Sequence, residues 1–357
     1  MRVGIITFHC SYNFGSALQA YALQRAISML GNDVSIIDYR SSDFNYYHLI
    51  SITHPRLFLR SLTRLRGLVH RRRSFHQFWN KYFNLYGKFT YRNEDKLSSL
   101  NECFDCFVCG SDQIWNLDCT QGAVGPFFLS FVEGARKVSY APSLAHTSFR
   151  PEFFDKREVA SLLDKFDYLS IREEETVPLF QPLVNKRIEV VVDPTLLLNR
   201  DAYLDMTEER IVQEPYLFVY LLRKCPELIE SASELSRRIN IKVAYISERN
   251  LQIPNSINLF GVGPEEFVSL IANAEAVLTN SFHATAFSVI LHRPFRAFAV
   301  DESASRMREF TSRLGIAARC VSRVDSSSVE SENWLEVDQK LDLMRAESWS
   351  YLKKALS

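Results

Sequence analysis

The chain has 357 residues, enough for about two domains that each bury a core. Its 42 basic and 42 acidic side chains cancel, so no global field points to nucleic acid and no such partner is expected. The apolar run after Met1-Arg2 is too short for a secretory signal, no run approaches a membrane span of roughly 18 residues, and the seven cysteines are scattered, so the expectation is a cytoplasmic protein without a disulfide framework.

Val3 to Phe8 reads as a strand, followed by the loop His9 to Gly15. From Gly15 to Leu30, Leu18, Tyr21, Ala22, Ile27 and Leu30 form a helical stripe that Gly31 ends before a second strand, Val34 to Asp38. This is a Rossmann-like opening without the G-x-G-x-x-G fingerprint. Asn13, Gly15, Ser16 and Gln19 are small or polar where loop meets helix. They suit a cleft, and a plain surface turn explains them almost as well.

Arg56 to Arg73 carries seven arginines and His70, with Phe58, Leu62, Leu65 and Val69 at helical spacing. Such a basic amphipathic helix, an insertion over about 54–80, can lie on an anionic membrane or pack on its own domain. Ser74 to Tyr86 is aromatic-rich and expected to pack.

Phe104 to Cys109 reads as a strand running into Gly110-Ser111-Asp112-Gln113-Ile114-Trp115-Asn116. In that loop Asp112 and Gln113 are suited to sugar hydroxyls and Trp115 to a ring face. Cys103, Cys106 and Cys109 have a metal-like spacing, but residues three apart in a strand point to opposite faces, so the thiols do not converge. Lys137 to Ala141 is a further strand, followed by a loop to His146. Asp167 to Ile171 leads to Arg172 and a helix start at Glu173-Glu174-Glu175, so Arg172 is either a partner of those acids or an anion ligand. Ile188 to Val192 ends at Asp193-Pro194, and the polar stretch Asn199 to Glu214 marks the domain boundary.

A fresh series follows: strand Tyr216 to Leu222, a helix near Glu227 to Arg238, strand Val243 to Ser247 and a helix start at Gly263-Pro264. Ala276 to Phe298 then forms a strand–turn–helix–strand unit. Its strand, Ala276 to Thr279, turns through Asn280-Ser281-Phe282-His283 into a helix over Ala284 to Leu291, and Pro294 precedes a strand over Phe295 to Val300. The turn falls at the carboxyl edge of a sheet, where open α/β sheets bind ligands. His283 is therefore at or near a helix N-terminus that favours an anion, placed to pass a proton; a capping turn with a satisfied histidine is the bland account. Ser305-Arg306 is expected in a loop after the last strand, and Trp334 to Leu356 as a closing helix.

Seven stretches, in order, resemble the polysaccharide pyruvyl transferase family: GIITFHCSYNFGSALQAYAL, VCGSDQIWN, SYAPS, LSIREEE, DPTLLL, GPEEF and LTNSFHATAFS. The resemblance implies a GT-B-like fold, two Rossmann-like α/β domains facing a central cleft. Residues 1–200 would form the acceptor side, 201–333 the donor side and 334–357 a C-terminal helix. It implies a cell-envelope activity, transfer of the pyruvyl group of phosphoenolpyruvate to two hydroxyls of a sugar in a polysaccharide or its lipid-linked precursor. The product is a ketal, and phosphate is released. Phosphoenolpyruvate is a co-substrate, and no metal or other cofactor is expected.

By position, His283 matches the family's catalytic histidine. Well-studied relatives carry arginine two residues earlier, where this chain has Ser281. The donor would then be met by Asn280, Ser281, Ala284 and Ser305, with Arg172, Arg223 or Arg306 as the cation. The acceptor would be met by Asn13, Gly15, Ser16, Gln19, Gly110, Ser111, Asp112, Gln113 and Trp115. Two other functions compete: a GT-B glycosyltransferase using a nucleotide sugar, and an inactive sugar-binding scaffold. Against the former, the nearest carboxylates after the His283 helix are Asp301 and Glu302, a strand later.

Overall fold

The computed structural model describes residues 1–40, 65–145, 148, 151–207, 210–299, 305–325 and 327–357. Arg56 to Arg64, His146 and the pair Asp301-Glu302 lie outside the described residues. The chain divides into two compact units. The first is Met1–Tyr47, Trp79–Leu197 and Leu343–Ser357; the second is His48–Phe78 and Leu198–Asp342. One crossing between them falls at Leu197–Leu198, just before the polar stretch Asn199 to Glu214. The C-terminal helix is not a separate piece, however, since the division falls within it.

The first unit holds β1 (Arg2–Ile6), α1 (Phe14–Met29), β2 (Asp33–Ile36), β3 (Cys106–Cys109) and β4 (Arg136–Ser139). Its sheet is parallel in the order β2-β1-β3-β4. β5 (Leu169–Ile171) and β6 (Ile188–Val190) pair with each other in parallel. Strands buried on both faces must be apolar throughout, which is why CFVC shows no alternation. The helix expected from Glu173 is broken into short turns, because Pro178 and Pro182 each lack the N–H that the next turn needs.

Helix α2 (Leu65–Tyr82) runs from the second unit into the first, the division falling between Phe78 and Trp79. Its buried stripe is Leu68, Phe75, Phe78 and Trp79, whereas Leu65 and Val69, which the sequence put on one apolar stripe suited to either a membrane or the protein's own domain, are 45% and 58% exposed. The stripe runs through position 71, so Arg71 belongs to the packed side of the helix.

The second unit carries β7 (Tyr216–Tyr220), α3 (Pro226–Ile239), β8 (Lys242–Ile246), β9 (Ser256–Asn258), α4 (Pro264–Ala272) and β10 (Ala276–Thr279). It continues with α5 (Phe282–Ile290), β11 (Phe295–Phe298), α6 (Ser305–Arg313) and β12 (Cys320–Val321). The sheet is again parallel, in the order β12-β11-β10-β7-β8-β9. Ser305 and Arg306 open a helix rather than lying in a loop. The terminal helix α7 (Trp334–Ala355) is held in the second unit by His292, whose Nε2 is 2.9 Å from Asp338 Oδ1 and whose ring stacks on Trp334. In the first unit its Tyr351 hydroxyl donates to Ser139 O at 2.8 Å.

Both sheets reverse their strand order once, between β1 and β3 in the first and between β7 and β10 in the second. Open parallel sheets bind ligands at the carboxyl ends of the strands flanking such a reversal. The loops there are His9–Asn13 and Gly110–Asn116 in the first unit, and Leu222–Lys224 and Asn280–Ser281 in the second.

Candidate functional site

In the second unit, β10 ends at Thr279, whose Oγ1 donates to Tyr220 O at 2.7 Å and accepts from Ser281 N at 3.0 Å. Ser281 has extended backbone angles and caps α5, its Oγ accepting from Ala284 N at 3.4 Å. Asn280 bridges the strand reversal: its Oδ1 accepts from Leu222 N at 2.8 Å and its Nδ2 donates to Arg223 O at 3.0 Å. The helix therefore begins two residues earlier than its composition suggested, and His283 lies in its first turn, 9% exposed. Every residue of α5 is buried, so the first turn is held firmly in place. The early N–H groups of a helix lack intrahelical acceptors and carry the positive end of its dipole, so this turn suits phosphate or carboxylate.

Two of the expected cations belong here. Arg306 lies over the Phe282 ring, with Cζ 5.9 Å from its centroid, next to His283 in the chain. Arg223 is exposed on the loop that Asn280 holds. Asn280 therefore positions a loop, and its side chain is engaged within the protein rather than presented to a donor.

Arg172 is placed differently. It is in the first unit, paired with Asp193 at 2.9 Å, with the two side chains 3% and 0% exposed. Its Nη2 also donates to Ser111 Oγ at 2.6 Å. Its acidic partner is thus Asp193 rather than the glutamates that follow it. Being committed to this interior network, it is not an open donor-site cation.

The strand reversal of the first unit is stitched together in the same way. Gln19 donates from Nε2 to Thr7 Oγ1 at 3.1 Å and accepts at Oε1 from Ser111 N at 3.1 Å. Ser16 Oγ donates to Asp112 Oδ2, and Asp112 Oδ1 accepts from Gln113 N at 2.8 Å. Asn13 caps α1, accepting from Gly15 N and Ser16 N. Gly110 is fixed by a close approach, since a Cβ there would lie 2.1 Å from Tyr140 O, and its φ of 118° disfavours any side chain.

Ser111 and Gln19 are fully buried, so they shape the loop pair instead of facing a sugar. Trp115 corrects the sequence expectation most clearly. It is 0% exposed, stacks on Phe128 and donates from Nε1 to Phe127 O at 3.0 Å. A core indole of this kind offers no face to a ligand. Asn13 and Gln113 remain partly exposed, whereas Asp112 is buried with both carboxylate oxygens engaged by Ser16 and Gln113 N, so it shapes the loop pair rather than facing a sugar.

His9 and Asp38 form a buried pair at the carboxyl edge of the first sheet that the sequence did not announce. His9 Nε2 is 2.9 Å from Asp38 Oδ1 and Nδ1 is 3.2 Å from Thr7 O. Both partners are acceptors, so the ring carries both protons. Burial alone would lower its pKa, but Cys10 and Asp38 outweigh that and lift it to about 10. Burial pushes the Asp38 carboxyl up, but the hydrogen bonds and charges of His9 and Arg40 together outweigh it and hold the group below the usual range. His9, Cys10 and Asp38 could bring three ligand atoms within 4.8 Å of one another. A doubly protonated imidazole and a carboxylate already bound by Arg40 and Thr90 fit a fixed ion pair better than a metal site. In β3, burial raises the thiol of Cys106 to about 12 and that of Cys109 well above its ordinary value, as inert core thiols should behave.

The sequence profile of the family described as "Polysaccharide pyruvyl transferase" matches residues 13–302, a span that includes the strand reversal of the second unit and His283. The chain belongs to the polysaccharide pyruvyl transferase family. No curated protein matches it. Among solved structures, Arabidopsis thaliana UGT89C1 is similar with a TM-score of 0.54 at 13% identity, covering 99% of this chain and 98% of that one. The UDP-GlcNAc 2-epimerase of Neisseria meningitidis, bound to UDP-GlcNAc, gives 0.52 at 11% identity, covering 99% and 94%. A putative UDP-N-acetylglucosamine 2-epimerase from Listeria monocytogenes also gives 0.52 at 11%, covering 99% and 90%. At these identities the likeness concerns the fold alone, which is GT-B-like with two Rossmann-like domains.

Proposed function

We propose that this pyruvyl transferase family member moves the enolpyruvyl unit of phosphoenolpyruvate onto two hydroxyls of a sugar. The acceptor is a surface polysaccharide or its lipid-linked precursor. The observation that supports this most is His283 in the first turn of a capped helix at a strand reversal, with Arg306 over the ring of the preceding Phe282, within a chain of this family.

Protonation of C3 of phosphoenolpyruvate turns C2 into an oxocarbenium-like centre, to which one sugar hydroxyl adds. The C2–O bond to phosphate then breaks, and phosphate leaves with the electron pair. The second hydroxyl adds to C2 and closes the ketal. The two hydroxyl protons balance those taken up by C3 and by the departing phosphate. His283 carries the proton, while Arg306, Arg223 and the α5 N–H groups hold the anionic donor. Asn13 and Gln113 of the first unit are the candidates for the acceptor, and Asp112 orders the loop that carries Gln113. The scheme calls for no metal.

Thermal unfolding with candidate donors tests the donor class. A ligand at about 100 times its Kd adds roughly 2.7 kcal/mol, which moves Tm by several degrees. Phosphoenolpyruvate should stabilise the protein, and UDP-GlcNAc and other nucleotide sugars should not. The reverse pattern would replace this proposal with glycosyl transfer, for which the same fold is suited.

A lipid-linked acceptor would be met at the inner face of a membrane. Among the described residues no helix is long and apolar enough to cross one. Arg66, Arg72 and Arg73 are nevertheless exposed on α2 with Leu65 and Val69, a combination suited to peripheral contact with anionic lipid. Co-sedimentation with phosphatidylglycerol vesicles should be lost when the three arginines become alanine. Equal sedimentation of variant and parent would remove this contact from the account.

A further inference from the structure

The basic helix has a second side. Between Gly67 and Phe75, α2 is docked on the loop joining β9 to α4, and three glycines make the approach possible. A Cβ on Gly67 would lie 2.8 Å from the Phe260 ring, one on Gly261 2.9 Å from His70 Nδ1, and one on Gly263 2.6 Å from Ser74 Cβ. His70 Nδ1 lies 2.7 Å from Gly261 O, which fixes the helix against the loop. All these residues belong to the second unit.

This docking turns Arg71 away from its exposed neighbours Arg72 and Arg73. Its guanidinium carbon lies 5.5 Å from the centroid of Phe260 and 5.7 Å from that of Phe75. The phenol of Tyr220 and the carboxylate of Glu248 act on it electrostatically. Tyr220 is the last residue of β7 and the register partner of Thr279, the residue before Asn280. The Tyr220 ring packs on Phe267 of α4 at 5.0 Å, and Phe267 packs on Phe287 of α5. Arg71 is therefore brought to the carboxyl edge of the second sheet, on the face covered by α4 and by the helix that carries His283. The segment delivering it is remote in sequence from the donor side.

We infer that Arg71 is a donor-binding residue. It supplies, from the inserted helix, positive charge for the phosphate or carboxylate of the donor at an edge where Ser281, a neutral cap, offers none. The inference rests on the proposal that the second unit binds an anionic donor, and it identifies which side chain helps to hold it. A guanidinium stacked between two aromatic rings keeps its fork oriented, which suits an oxyanion better than a mobile surface lysine would.

The test is titration of wild type, Arg71→Met and Arg72→Met with phosphoenolpyruvate and, separately, with UDP, at two salt concentrations. Loss of one charged contact should weaken binding roughly tenfold to a hundredfold in Arg71→Met and flatten its salt dependence, with Arg72→Met unchanged. If the wild type binds UDP and not phosphoenolpyruvate, and Arg71→Met loses that binding, the donor proposal fails while the role of Arg71 stands. Binding of either ligand within twofold of wild type by a cooperatively folded Arg71→Met overturns the role of Arg71 alone. Failure of the wild type to bind either ligand overturns both. Should Arg71→Met not fold, Arg71→Gln, which keeps a polar head without the charge, is judged by the same outcomes.

Discussion

Replacing His283 by alanine should, if the proposed ketal transfer holds, lower ketal formation by about 10²–10⁴-fold, the span over which a positioned general acid–base acts. The loss should fall on kcat, with phosphoenolpyruvate binding largely kept, because in the proposed arrangement the phosphate is held by arginine and helix N–H groups rather than by the imidazole. His283→Gln separates the two possible roles of the ring, since glutamine retains hydrogen bonding but has no titratable proton to pass. Both variants should be equally slow in steady-state phosphate release, and thermal shift should show both still binding the donor. A variant with unchanged kcat and lost donor affinity would make His283 a binding residue and leave the proton transfers to another group.

The second large effect concerns stability. Arg172→Met should destabilise the first unit by about 3–5 kcal/mol, because Asp193 would be left charged and fully buried. At the usual sensitivity of a domain this size, its unfolding transition should drop by roughly 10 °C. Thr195 donates to Asp193 from N at 2.9 Å and from Oγ1 at 2.6 Å, but neutral donors do not replace a guanidinium at that depth. The double variant Arg172→Met/Asp193→Leu should recover much of the loss, since removing both charges also removes the desolvation cost. Calorimetry of the single and double variants measures this. Equal transitions for wild type and Arg172→Met would show that the pair carries no stability.

The fold was legible because parallel sheets write themselves as short apolar runs separated by helical stripes, as VGIITF, FDCFVC and AVLT do here. The local geometry around His283 was legible, since strand, turn and capped helix follow within a few residues, and the family was legible in the resemblance.

What was hidden depends on contacts between residues distant in sequence. Trp115 sits in a run of ligand-like residues and gives no local sign that Phe127 and Phe128 enclose it. Arg172 is followed at once by three glutamates, yet its partner Asp193 is brought in by a different strand. Arg71 is hidden by its own neighbours, since a basic run suggests a solvated face. The apolar positions Leu68, Phe75 and Phe78 were the available signal that the buried stripe passes through it.

The central claim is that the donor is phosphoenolpyruvate and that both its new bonds go to sugar oxygens. Incubating the protein with carbon-labelled phosphoenolpyruvate and a lipid-linked glycan fraction tests it most directly. The account predicts that label enters the glycan in an alkali-stable, acid-labile form, with one phosphate released per label. Label confined to free pyruvate, or glycan extension that depends on a nucleotide sugar and ignores phosphoenolpyruvate, would contradict it.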